Sequence, residues 1–504
     1  MGAQPLDMPL HEDSHSSKIE RGSVCVDESS VSATRGFAWF KRAKRSSPSP
    51  ILTSAAVVMF LLAIVFGCLF ANAICSLSGS LHNFRWVPSS VECLLLSCLA
   101  VWCGTFIFLT FRRGDLPLIA LLLIAITGYF ARSAASWQMD DAVILLAGVT
   151  VGRGICFLLE AGGRRKQVGG QRNLETVNRN PAILNFLAGL IMLLAFSSWW
   201  HLDIPDYSYQ GRRWAGLWDS PNIYGMLMGV GVVLAIGLLF KYLDERNLRG
   251  FCQYFLRRKS AKSAKENIPG DSWSFSWRII LVIATGMMAV GLLFSYSRGA
   301  WVATPLGLLY LAKAYHKFEW RQLKLFLLSA FSFLLLITCL FWNVPRTAPW
   351  YFQRMDLSRG SVQHRIAAWK ASLEMIRDHP FGVGWNKTVQ TYINDYSPPE
   401  NGVSAITTND YLMLGTQLGF PALLCFVAYI ALCLRRQKSD VQNPKLEDRA
   451  VPGIECRALE TSLASCRAGA LVLAVSFWFD SGLFTLATAS VFWVLLELGR
   501  MKPR

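Results

Sequence analysis

Residues 221–240 read PNIYGMLMGVGVVLAIGLLF, a run without a single charged side chain. About 20 consecutive apolar residues cross the hydrocarbon core of a bilayer. Comparable blocks occur at approximately 51–74, 90–111, 116–134, 141–160, 181–200, 277–296, 300–315, 324–342, 420–434, 461–479 and 484–499. Hydrophobic residues make up 53% of the 504 and charged residues only 16%, against roughly 25% charged in an ordinary soluble chain. A soluble enzyme, a secreted disulfide scaffold and a disordered chain are excluded. The fold class expected is an all-α polytopic membrane protein of about twelve transmembrane helices.

The net charge of +17 is explained by topology and does not call for a nucleic-acid partner. Basic residues gather in short loops between apolar blocks: Arg112 and Arg113; Arg164, Arg165 and Lys166; Arg257, Arg258, Lys259, Lys262 and Lys265; Lys317 and Arg321; Arg435, Arg436 and Lys438; and Arg500, Lys502 and Arg504 at the end. Cytoplasmic loops carry such an excess. Lys41, Arg42, Lys44 and Arg45 precede the first block, so both termini are expected in the cytoplasm. The polar, Ser-rich segment 1–46 reads as a disordered cytoplasmic tail. Nine spans follow over 47–342, then an outer helical loop at 343–419, then three spans and a cytoplasmic end at 420–504. The thirteen cysteines, such as Cys68, Cys98, Cys103, Cys339 and Cys425, lie mostly within apolar blocks. They show no paired ligand spacing and read as small buried hydrophobes, so no metal site is expected.

Three outer segments break the charge bias. RRWAGLWDSPN at 212–222 enters a span, with Asp219 or Ser220 as its cap and Pro221 in its first turn. SYSRGAW at 295–301 joins two spans. The loop 343–407 contains SVQHRIAAWKASLEMIRDHP, in which Ile366, Trp369, Leu373 and Ile376 recur at helical spacing until Pro380 stops the helix. A second short helix is expected from Thr407 or Thr408 through TNDYLMLGTQLG, broken by Gly419 and Pro421. Both helices are expected to lie on the outer membrane surface. Guanidinium groups grip phosphate with paired donors and keep their charge. Placing several on one side of a membrane points to an anionic partner such as a diphosphate headgroup. Arg213, Arg298 and Arg365 are therefore expected to converge. The chain has no phosphate-binding G-x-x-x-x-G-K-[ST] loop and no H-E-x-x-H helix, so its chemistry must use an already activated substrate.

The order RRWAGLWDSPNIYG, SYSRGAWVATPLGLLYL, HRIAAWKASLEMIRDHPFGVGWN, TTNDYLMLGTQLGFPALL resembles the O-antigen ligase and polymerase family of bacterial inner-membrane proteins, over roughly 180–434. The resemblance implies a GT-C-like, all-helical glycosyltransferase of the bacterial inner (plasma) membrane, working without metal, nucleotide or other cofactor. Its donor would be an undecaprenyl diphosphate-linked glycan at the periplasmic face. Its acceptor would be lipid A core sugar for a ligase or a lipid-linked glycan for a polymerase. By position, Arg213 and Arg365, with Arg212 beside the first, match the arginines that hold the donor diphosphate; Arg298 matches the SRG turn, and Asn409 the Asn of a His-Asn pair.

The chain departs from the family at Thr408, where ligases usually carry the His proposed to activate the acceptor hydroxyl. Threonine is no base near neutral pH. His364 or Asp410 can take that role, or the diphosphate leaves well enough to need no strong base. The departure moves weight toward polymerase. An alternative reading is a small-anion transporter of the bicarbonate type, which would need ionisable residues near mid-membrane; Arg153 and Arg467 instead fall near the cytoplasmic ends of their blocks.

Overall fold

The computed structural model describes residues 89–130, 141–164, 180–199, 208–209, 213–216, 218, 220–242, 271–315, 360–396, 408–435 and 453–501. The tail at 1–46, the apolar blocks 51–74 and 324–342, and Arg212 and Asp219 lie outside these residues. In chain order the helices are α1 (Ser89–Leu109), α2 (Leu116–Phe130), α3 (Asp141–Arg164), α4 (Asn180–Trp199), α5 (Pro221–Tyr242), α6 (Asp271–Ser295), α7 (Arg298–Tyr315), α8 (Gly360–Asp378), the single turn α9 (Thr388–Thr391), α10 (Asp410–Leu434), α11 (Gly453–Ser476) and α12 (Leu486–Gly499). A 3₁₀ turn, Arg113–Asp115, precedes α2, and a wide π turn, Tyr392–Tyr396, follows α9. Two short strands, β1 (Ser208–Tyr209) and β2 (Arg213–Trp214), pair antiparallel ahead of α5.

Ten of the twelve apolar blocks coincide with described helices. Four segments, Asp141–Leu159, Pro221–Phe240, Ser276–Ser295 and Asp410–Leu434, are long and apolar enough to cross a membrane, and shorter apolar helices accompany them. The molecule is thus a mostly helical membrane protein. Pro221 is the first residue of α5, where its missing N–H leaves no bond unmade, and the Ser220 hydroxyl accepts from the Asn222 N–H at 3.3 Å. Ser220 is therefore a cap, as one of the two sequence alternatives has it. α5 packs against α4, α6, α7 and α11, and α12 lies along α3. In the α3 sequence GVTVG, a Cβ on Gly148 or Gly152 would stand 2.6 or 2.7 Å from Trp493 atoms of α12. Small residues four apart let two helices in lipid approach this closely.

Cys103 is buried as expected, but Cys98 is exposed. α8 ends at Asp378, before Pro380. Its buried face is Ala368, Ala371, Ser372 and Met375, while Ile366 and Leu373 remain exposed. The small residues allow close approach to the body; of the apolar stripe, Trp369 and Ile376 are half-buried, Trp369 against Trp478, while Ile366 and Leu373 face outward.

α10 departs most from the sequence expectation. Its cap is Asn409, not Thr407 or Thr408: the Asn409 Oδ1 accepts from the N–H groups of Tyr411 and Leu412, both at 3.1 Å. Its first turns, Leu412 to Gly419, are buried in the body instead of lying on a surface. The break falls at Gly419 as expected, with φ 85° and ψ 173°. Pro421 has no N–H to offer the Gln417 carbonyl. The loop after α8 supplies the missing donors, Gly384 N–H to Gln417 O at 3.0 Å and Val383 N–H to Thr416 O at 2.8 Å, while Phe420 N–H turns to Pro380 O at 2.9 Å. The HPFGVG loop and the kink therefore complete each other.

Candidate functional site

The antiparallel pairing of Tyr209 with Arg213 positions the Arg213 backbone, and Trp214 stacks on Phe294 of α6 with ring centroids 4.7 Å apart. The Arg213 side chain is thereby directed at the turn between α6 and α7. Its Nε donates to Ser295 O at 2.9 Å, and one Nη2 donates to Tyr296 O at 3.4 Å and to Asn222 Oδ1 at 2.6 Å. Tyr296 has φ 49°, a left-handed conformation that is unfavourable for a side-chain-bearing residue, and the guanidinium grips the carbonyls on both sides of that strain.

Asn222 passes the link on. Its Nδ2 donates to Asp480 Oδ1 at 2.8 Å, and the Ser297 hydroxyl donates to Asp480 Oδ2 at 3.4 Å. Arg365 of α8 reaches the same carboxylate, with Nη2 3.2 Å from Asp480 Oδ1, and its Nη1 donates to Phe479 O at 2.7 Å. Asp480, only 4% exposed, thus receives groups from α5, the α6–α7 turn and α8. Burial pushes its carboxyl above the usual range, against the opposing pull of Arg365, Arg213 and Ser297. Gly299 of the SRG turn is explained by the same neighbour: a Cβ there would stand 2.8 Å from Phe479 Cβ and 3.0 Å from Asp480 Oδ2.

Of the residues singled out in the sequence, Arg213 and Arg365 meet through Asn222 and Asp480. They differ in openness: Arg213 is 7% exposed and committed to the turn, whereas the Arg365 side chain is 31% exposed and more accessible to an incoming anion. Asp410 is buried beside the Asp480 turn, accepting from the N–H groups of Gly482 and Leu483. Asn409 is fully buried, and its Nδ2 has no hydrogen-bond partner among the described residues. Arg298 opens α7 and is half-buried; Thr408 and His364 are half-buried, the latter one residue before Arg365. Asp480 and Asn222 escaped the sequence reading. Asn222 was inside a quoted motif but is a common helix-start residue. Asp480 is a lone acid in the short turn between two apolar blocks, and that isolation is the signal that could have found it.

A second polar cluster lies at the opposite end of α10. Asp115 Oδ1 pairs with Arg153 Nη2 and Arg500 Nη1, each at 2.5 Å, and Glu497 Oε1 lies 3.2 Å from Arg153 Nε. Tyr429 donates to Glu497 and accepts from Arg153 and Arg500. The two acids and two arginines balance, and all are buried. Burial alone would raise the Asp115 carboxyl, but the two guanidiniums outweigh it and hold it below the usual carboxylate range.

No curated protein matches the chain. The family model described as O-Antigen ligase matches residues 281–427, a stretch that includes Ser297, Arg298, Arg365, Asn409 and Asp410 and stops short of Asp480; over this stretch the chain is similar to the O-antigen ligase family.

Proposed function

We propose that this protein is a glycosyltransferase of the O-antigen ligase or polymerase type, transferring a glycan from an undecaprenyl diphosphate carrier to a sugar hydroxyl at the periplasmic face. The observation that carries this reading is the meeting of Arg213 and Arg365, 152 residues apart in sequence, around one buried carboxylate at one end of the helical body. The acceptor hydroxyl attacks the anomeric carbon with inversion, the bond to the carrier oxygen breaks, and the diphosphate leaves with the electron pair. Arg365, the more open guanidinium, stabilises the charge growing on that diphosphate. Arg213 holds the SYSRG turn and, through Asn222 and Asp480, the orientation of Arg365. Asn409, fully buried, caps α10 behind these groups. His364 takes the acceptor proton, while Thr408 stands where ligases carry a His and weights the reading toward polymerase. The acceptor is lipid A core or a second lipid-linked glycan, and no metal, nucleotide or nucleic acid takes part.

The topology belongs to this reading: Arg213, Ser297, Arg365, Asp410 and Asp480 share one end, taken as periplasmic, and Asp115 and Arg500 share the other, taken as cytoplasmic with both termini. The transporter alternative gains no support from the match to the O-antigen ligase model. The test is transfer in detergent from an undecaprenyl diphosphate-linked oligosaccharide to lipid A core or to a second copy of the donor. Elongated product on either acceptor, lost in Arg365→Ala, is expected; wild-type protein inert toward both overturns the proposal.

A further inference from the structure

The turn carrying Asp480 is short, and the first residue of α10 grips it on both sides. The Asp410 N–H donates to Phe477 O at 3.0 Å, three residues before Asp480. The Asp410 Oδ2 accepts from the N–H groups of Gly482 and Leu483, both at 2.7 Å, two and three residues after it. Asp410 is 0% exposed. The neighbouring Tyr411 adds a bond from its hydroxyl to Ala474 O at 2.7 Å, tying the same helix to the end of α11. Between these ties the turn presents two oxygens to Arg365, Phe479 O and Asp480 Oδ1.

A general base must come within hydrogen-bond reach of the proton that it removes. Asp410 is sealed from solvent; its Oδ2 is occupied by two backbone donors, and its Oδ1 is buried without a hydrogen-bond partner among the described residues. Its contacts are those of a part that fixes backbone. We infer that Asp410 is a positioning residue: by holding the backbone of 477–483 it sets Asp480 against Arg365 and Asn222, and takes no proton from the acceptor. The inference rests on the glycan-transfer reading for its consequence in activity, but not for the clamp itself.

Two measurements test it on the full-length protein in detergent. In amide hydrogen exchange, Asp410→Ala is expected to speed exchange at Gly482 and Leu483 with α3 and α12 unchanged, whereas Asp410→Asn, which keeps an acceptor oxygen, leaves both amides slow. In transfer assays with an undecaprenyl diphosphate-linked oligosaccharide, Asp410→Ala is expected to lower kcat through a misplaced Arg365, and Asp410→Asn to restore kcat toward wild type. Residues that act through one another give non-additive losses, so Asp410→Ala adds nothing further in an Asp480→Asn background. If Asp410→Ala does not fold, the Asn variant decides. A kcat loss there of about 10²–10⁴-fold with both amides still protected is the mark of a base and overturns the inference. Slow exchange at both amides in a folded Asp410→Ala protein overturns the clamp whatever the transfer assay reads. Clamp intact with no transfer by wild-type protein refutes the glycan-transfer reading instead.

Discussion

The guanidinium of Arg365 makes two different bonds, one to a backbone carbonyl and one to a carboxylate. A lysine ammonium keeps the charge but cannot hold that planar, two-pronged arrangement. Arg365→Lys is expected to cut transfer roughly 10–100-fold, in line with the ~1.5–3 kcal/mol of a hydrogen bond to a charged group. Arg213→Lys is also expected to lose most activity, through the Tyr296 turn. Full activity in both, measured as initial rates, would leave only a charge effect. Asp480 gives a pH signature. Because burial raises its carboxyl, transfer is expected to fall, as pH drops, at a value above the ordinary carboxylate range, and Asp480→Asn is expected to lack that limb. Stability runs the other way. A raised folded-state carboxyl binds its proton more readily than the unfolded chain does, so this group's contribution to folding is fully present at low pH and lost as pH rises through the raised value. A rate profile and an unfolding profile moving together would contradict that assignment. Thr408→His is the complementary change: a gain in transfer to lipid A core would mark a weakened ligase, and no gain together with loss of long-chain polymer in a deletion strain would mark a polymerase.

At the scale of the element, the kink in α10 is the most exacting feature. Gly419 sits at φ 85°, and a Cβ there would stand 2.3 Å from Pro380 O. Such backbone is open essentially to glycine alone, and occupying it otherwise costs about 1–3 kcal/mol before any clash. Gly419→Ala is therefore expected to lower the thermal midpoint and to free the amides of Val383 and Gly384 to exchange; an unchanged midpoint would refute the account. Gly419 and Pro421 announced this break in the sequence, as the apolar blocks announced most of the helices. The cap did not show itself, because TTND offers several residues able to cap and only the packed position of Asn409 chooses between them. On α8 the spacing of Ile366, Trp369, Leu373 and Ile376 announced the helix but not its packed face, which centres on Ala368, Ala371 and Met375. The site was legible as arginines on one side, but the carboxylate that joins them was not: Asp480 stands out as a lone acid between apolar blocks, yet nothing near it in sequence ties it to Arg213 or Arg365.

For the whole molecule, the Asp115, Arg153, Glu497 and Arg500 cluster ties the start of α2, α3 and the end of α12 at the end remote from the site. Removing one member of a buried, balanced set leaves an uncompensated charge and costs about 3–5 kcal/mol. Arg153→Met is expected to lose that much in reversible unfolding in detergent, and Arg153→Met with Glu497→Leu to recover part of it. Topology is checked by reporter fusions after Arg113, Arg258 and Pro398, the first two expected to report cytoplasm and the third periplasm; a cytoplasmic signal at Pro398 would remove the catalytic reading too.

The shared hydrogen bonds of the kink also set an order of events during synthesis. Val383 and Gly384 each leave the ribosome 33 residues ahead of their acceptors, Thr416 and Gln417, a delay of about 2–7 s at ~5–20 residues per second. The loop cannot close until α10 follows it. Arg365 waits longer still, since Asp480 lies 115 residues downstream. A nascent chain that has not yet delivered α11 and the turn beyond it holds Arg365 without its carboxylate, so the proposed site cannot assemble before that turn arrives.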